Sequence, residues 1–313
     1  MIATRSVLTV LAILALFAGD VTGAPSVVRA RNFGAIPGDE TDDTAAIQEA
    51  LDSARENGGG TVLLEPGTYR VSDNRRPAFD RFGERTALVL EGAEDTVLDG
   101  HGATVLLTAP RPEAFATFLT VRNSRNIAVR NLTLDWDPLP FTQGRLSERN
   151  GATLTFELMD GFSAPETMGV SRIQEYDPET RQIAPDTHHI RRIKLPPEPG
   201  PSLEPAGPGR VRVTLPDALA EEAAKLALGK HFLLTYRIYG HQAYFFENCS
   251  NVALENCTIY TTAGMACLAR HVENIRCEDV RVMRKPGTSR FLSLSADALH
   301  FTHCKGTITV RNC

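Results

Sequence analysis

Residues 248–259 read "NCSNVALENCTI", and residues 271–282 read "HVENIRCEDVRV". Each opens on a polar turn, continues through alternating apolar positions (Val252 and Leu254; Ile275 and Cys277) and closes on a second turn rich in Asn, Asp or Cys. Strict alternation marks a strand buried on one face. Residues 123–134, "NSRNIAVRNLTL", and 303–313, "HCKGTITVRNC", repeat the pattern. Asn251 and Asn274 stand 23 residues apart, the spacing of one solenoid repeat. A single such coil cannot cover its own apolar face, so neighbouring coils must stack. Asn131, Asn248 and Asn256 also begin N-x-S/T sequons, but their recurrence at equivalent turns favours a stacking role.

Upstream, residues 32–71 read "NFGAIPGDETDDTAAIQEALDSARENGGGTVLLEPGTYRV". Asp42 and Asp43 are N-cap candidates for a helix from about Thr44. Ala46, Ile47, Ala50, Leu51 and Ala54 form its apolar stripe, and Gly58–Gly60 end it. Asp39, Asp42 and Asp43 lack the spacing of a calcium loop, and capping accounts for them. The segment resembles the N-terminal cap of the pectate-lyase-like superfamily, in which a short helix plugs one end of a right-handed parallel β-helix.

Between Pro138 and about Gly240 the repeat disappears. "GRLSERNGATLTFEL" reads as a hairpin through Asn150-Gly151, and "GRVRVTLPD" and "KHFLLTYRI" as further alternating strands beside a Pro-rich connector at 196–208. The expected architecture is all-β: a right-handed parallel β-helix with an N-terminal capping helix and an inserted antiparallel β-barrel-like domain. Its divisions are a leader at 1–23, cap and first coils at 24–138, insertion at 139–239 and further coils at 240–313.

Arg5, the apolar run Val7–Gly19 and the small residues Val21 and Gly23 predict a cleavable export signal, hence a secreted or periplasmic protein without a membrane span after cleavage. Lys and Arg number 33 against 38 Asp and Glu, a net charge of −5 with no basic stripe, which argues against a nucleic-acid partner. The six Cys residues, 249, 257, 267, 277, 304 and 313, lie in the last third without zinc spacing. They read mainly as small residues stacked between layers, with bridging left open. No metal or other cofactor is expected.

Chemistry is expected on the outer face. In "NLTLDWDPLPFTQG" (131–144), Leu132, Leu134 and Trp136 alternate inward, which puts Asp135 and Asp137 on one outer face about 7 Å apart. Two acids beside the only Trp suit a sugar site, and equally suit carboxylates that solvate an edge or pair with Arg near the insertion junction. In "SADALHFTHC" (295–304), Asp297 stands among Ser295, Ala296 and Ala298, so its carboxylate can approach a ligand, and His300 alternates outward. His241, where the chain re-enters the solenoid, completes the predicted substrate-binding set of Asp135, Trp136, Asp137, His241 and His300. "DGHGAT" (99–104) and "RRIK" (191–194) look like polygalacturonase signatures, but the first is an ordinary turn in an early coil and the second falls in the insertion.

"LTLDWDPLPFTQG", "YTTAGMACLARHVENIRCEDVRV" and "SADALHFTHCKGTITVRNC" together resemble the exo-α-1,3-galactosidases of glycoside hydrolase family 110. The resemblance implies a β-helix glycosidase that removes terminal α-linked galactose from glycans with inversion, and it gives Asp297 a catalytic role through the Ala-Asp-x-x-His-Phe motif. In that family the partner carboxyls are adjacent Asp residues one coil further on, after an Asn-Cys turn. That turn is Asn312-Cys313 here, so the expectation is of an incomplete chain lacking part of the catalytic set. A polysaccharide lyase or pectinase, with Arg284, Lys285 or Arg290 as proton abstractor if these are not simply a solvated turn, is the alternative enzyme. A non-catalytic carbohydrate-binding β-helix is the alternative from another class.

Overall fold

The computed structural model describes residues 26–73, 85–109, 115–164, 169–191, 193, 201, 203–236 and 240–313. The predicted export signal, part of "RRIK" and much of the Pro-rich connector lie outside them.

Parallel strands build the solenoid. One sheet runs in the order Val27–Arg29, Gly60–Leu63, Glu94–Thr108, Arg125–Asp137, Ser250–Glu255, Glu273–Glu278 and Lys305–Arg311. A second runs from Thr86–Glu91 through Thr117–Arg122, Tyr244–Glu247 and Cys267–Arg270 to Leu299–Thr302. Register is kept from coil to coil, so Val129 faces Leu254 and Leu254 faces Cys277, while Leu119, Tyr244 and Cys267 line up on the second sheet. These inward residues form one continuous core. The chain is a right-handed parallel β-helix, the hand that β-crossover connections overwhelmingly take.

Left-handed backbone at the corners explains the recurring Asn. One corner has positive φ at Asn123, Asn248, His271 and His303; the next has it at Asp95, Asn126, Asn251 and Asn274; a third at Asn131, Asn256, Asp279 and Asn312. Asn accepts this conformation better than most residues with a side chain, and here it also bonds vertically. Asn126 Nδ2 donates to Asp95, Asn251 to Asn126 and Asn274 to Asn251, at 2.7, 2.8 and 3.0 Å. Asn131 and Asn256 form a second ladder that ends on Asp99. Those two sequon asparagines are therefore stacking groups. All six cysteines are free thiols; four are buried, Cys304 is half-buried and Cys313 is exposed.

The capping helix spans Thr44–Glu56 and buries Ile47, Ala50, Leu51 and Ala54. Gln48, also buried, donates to the Val89 carbonyl and accepts from the Val89 N–H, both at 2.8 Å. Its amide thereby pairs with the edge strand Thr86–Glu91 as a neighbouring strand would. The predicted caps behave differently from one another. Asp42 accepts from Thr44 N–H at 2.8 Å, whereas Asp43 makes no cap and joins Ile36 N–H to Arg70 N–H.

The insertion is one eight-stranded antiparallel sheet from Phe141–Asn150 to His231–Thr235, around its own apolar core of residues such as Phe156, Phe232 and Val213. Asn150 pairs with Thr153, so the hairpin turn is Gly151-Ala152, one residue later than predicted. Among the described residues, no helix is long and apolar enough to cross a membrane.

Candidate active site on the outer wall

Register exposes an irregularity beside Asp297. Phe245 pairs with Leu268 and Leu268 with His300, so successive coils are 23 and then 32 residues long. The nine additional residues belong to an excursion, 283–298, between Arg281–Val282 and Leu299–Thr302. At its end the chain rejoins the solenoid: Ala266 N–H donates to the Asp297 carbonyl and Cys267 N–H to the Ala298 carbonyl. Small residues around Asp297 let the backbone pass close to the preceding coil while the carboxylate faces outward.

Asp297 has a side chain 59% exposed and His300 one 40% exposed, with 2.7 Å between Asp297 Oδ2 and His300 Nδ1. Leu299 and Phe301 pack toward the core and leave His300 on the outer wall, as alternation requires. A carboxylate oriented by an imidazole N–H and open to solvent can accept or deliver a proton at a bound glycan. Along the same wall, Glu247 lies between Arg122 and Arg270, at 2.8 Å from each guanidinium Nε. That carboxylate is ion-paired within the sheet.

The other predicted ligand-binding residues are placed otherwise. Asp135 does turn away from the solenoid interior, but it is 1% exposed. Its carboxylate accepts from Arg290 Nη1 at 2.7 Å, Arg290 Nη2 at 3.2 Å and Lys285 Nζ at 3.0 Å. Trp136 is enclosed in the solenoid core, so it offers no platform to a sugar. His241 is buried, with its ring 6.5 Å from that of Phe115, instead of facing the wall. Asp137 remains exposed at the strand end. The bases considered for a lyase are also engaged: Lys285 and Arg290 by Asp135, Arg284 by the Arg181 carbonyl. Arg290 is buried, in contrast to the predicted solvated turn.

Sequence reading missed Gln143, which is fully buried and bonds to the backbone on both sides of Arg290. A buried amide on the first inserted strand carries no local signal. The lengthened coil at 283–298 is the feature that could have directed attention to its partners. "DGHGAT", expected as a turn, lies within the strand Glu94–Thr108 at a register shift between Asp99 and Ala103, where His101 and Gly102 have positive φ and Asp99 Oδ1 accepts from His101 N–H at 2.9 Å. No group of three or more metal-ligating side chains occurs among the described residues.

Residues 27–150 match the family model described as rhamnogalacturonase A/epimerase, pectate lyase-like. The more particular resemblance is to the α-1,3-galactosidases, and it extends along nearly the whole chain. Alpha-1,3-galactosidase B of Bacteroides thetaiotaomicron is 24% identical, covering 93% of this chain and 49% of its own. Alpha-1,3-galactosidase A of Shewanella woodyi is 22% identical, covering 90% and 48%. The chain thus spans about half the length of the curated relatives it matches. Among solved structures, a family 28 exopolygalacturonase of Yersinia enterocolitica aligns with a TM-score of 0.43 at 17% identity, covering 89% of this chain and 41% of that one.

Proposed function

We propose that the protein is a glycoside hydrolase that removes terminal α-1,3-linked galactose from glycans with inversion, and that Asp297 is one of its two catalytic carboxyl groups. The observation that carries this reading is the exposed Asp297–His300 pair on the outer wall, in the segment where the resemblance to the galactosidases is strong. Inversion needs an acid to protonate the leaving oxygen and a base to activate water on the opposite face, about 6.5–9.5 Å apart. Asp297, accepting from His300, has the posture of the base. Asp135 is excluded as its partner, because Arg290 and Lys285 occupy its carboxylate. Export, supported by the apolar run at Val7–Gly19, puts the enzyme where it meets extracellular glycans.

The test is expression of the whole reading frame and incubation with an α-1,3-linked galactose disaccharide. Galactose should appear first as the β-anomer. Asp297→Asn should lower the rate about 10³-fold with an unchanged circular-dichroism spectrum. Absence of galactose release, or a near-normal rate for the variant, overturns the proposal. An unsaturated, ultraviolet-absorbing product from polygalacturonate would indicate a lyase, and retention of glycans without cleavage a binding protein.

A further inference from the structure

The excursion that carries Asp297 is held from two sides. On the solenoid side, Thr262 N–H donates to the Ser293 carbonyl at 3.1 Å, and Ser295 Oγ donates to the Ala263 carbonyl. On the other side stands the face of the inserted sheet that is turned away from its own core. Gln143 Nε2 donates to the Ser289 carbonyl and Gln143 Oε1 accepts from Phe291 N–H, both at 2.9 Å. Phe291 stacks flat on Tyr176, with ring centroids 5.4 Å apart. Arg181 donates to the Thr288 carbonyl at 2.9 Å, and Arg172 to the Ser295 carbonyl at 3.3 Å.

Between these sides Arg290 reaches into the junction, forks onto Asp135 and also donates to Thr261 Oγ1 at 3.1 Å. Gln143, Asp135, Arg290 and Phe291 are all buried. A fully satisfied buried network fixes one geometry, because any displacement leaves polar groups unpaired in a low dielectric. Asp297 lies seven residues after Arg290 and two after Ser295.

We propose that the inserted domain is a positioning element of the active site: Gln143 and Arg290 are positioning residues that lock the 283–298 segment and so set where the Asp297 carboxylate stands. This rests on the glycosidase reading for its catalytic consequence, but the lock itself can be observed without turnover. The inserted sheet then contributes to catalysis through side chains that need not touch a sugar.

Three variants test it. Gln143→Glu keeps the shape and loses the donor to the Ser289 carbonyl. Arg290→Gln removes the charge, and Arg290→Lys retains it without the two-pronged geometry. Amide hydrogen exchange, melting temperature and galactose release are measured on each. Exchange at 288–298 should quicken at least tenfold in Gln143→Glu and Arg290→Gln, with Ser250–Glu255 unchanged. kcat should fall at least tenfold with KM within twofold, and Arg290→Lys should recover part of both effects. Unaltered exchange at 288–298 overturns the lock, and quickened exchange with an undiminished kcat overturns its positioning role in catalysis. If the unmodified protein releases no galactose, the glycosidase reading fails while the exchange data still decide the lock. If Arg290→Gln does not fold, the milder Gln143→Glu decides.

Discussion

The coil at 248–282 and the excursion at 283–298 are adjacent in sequence and stabilised in opposite ways. In the coil each residue repeats the role of the one 23 positions away: Asn274 bonds Asn251, and Cys277 stacks on Leu254. In the excursion almost nothing repeats. Its backbone carbonyls are held by Gln143, Arg172 and Arg181, and its Arg290 and Phe291 side chains by Asp135 and Tyr176, all more than a hundred residues earlier. Periodic wall tolerates loss of one rung because its neighbours provide the same contacts. The excursion has no neighbouring rung to replace a lost contact, and the proposed catalytic carboxylate sits at its end.

The largest difference is expected at the junction. Asp135→Ala leaves the Arg290 guanidinium buried without its carboxylate, and breaking one side of a buried pair costs about 3–5 kcal/mol. Urea unfolding should show that loss; a decrease under about 1 kcal/mol would mean that water replaces the carboxylate and that the junction is no more demanding than the wall. A smaller effect is expected in the ladder. Asn251→Ala removes bonds to Asn126 and from Asn274 and leaves the left-handed φ of 55° to a residue that tolerates it less well than Asn, for a combined cost of about 2 kcal/mol. Asn251→Gly should recover the backbone part, leaving only the lost bonds. If Gly is as damaging as Ala, the ladder bonds and not the left-handed backbone dominate the corner.

What could be read from sequence follows the same division. The solenoid was legible because its corner asparagines, inward alternation and 23-residue spacing are local and repeated. Alternation also gave the correct direction for Asp135. It gave the wrong exposure, since the cover is Arg290, 155 residues away, and direction along a strand says nothing about what folds over it. Trp136 was read beside the acids on account of its neighbours, yet the same alternation assigns it to the core. His241 was chosen for its residue type at the point of re-entry, and the structure buries it. The exposure of Asp297 was legible because the small residues that flank it leave its carboxylate unobstructed. Its lock was not, because Gln143 differs in no local respect from any other strand amide.

Two carboxylates near the capped end provide the finest test of whether local ladders and remote ties can be told apart. Asp99 is buried, which alone would raise its pKa, but hydrogen bonds from the Asn131 side chain, His101 N–H and Arg130 hold it below its ordinary 3.8. Asp43 is shifted the other way: burial raises it, aided by Asp39 and Asp42, against hydrogen bonds from Ile36 and Arg70 N–H. A carboxyl with a lowered folded pKa lends stability that is present above the unfolded value and lost as pH falls toward the folded one; a raised pKa reverses the sign. As pH falls from 6 to 3, the stability of the unmodified protein relative to Asp99→Asn should therefore decrease, and relative to Asp43→Asn increase. Melting temperatures across that range measure both slopes. Equal slopes would mean that the ladder at Asp99 contributes no more to its charged form than the buried tie at Asp43, and the distinction between repeated and singular contacts would not extend to this end of the solenoid.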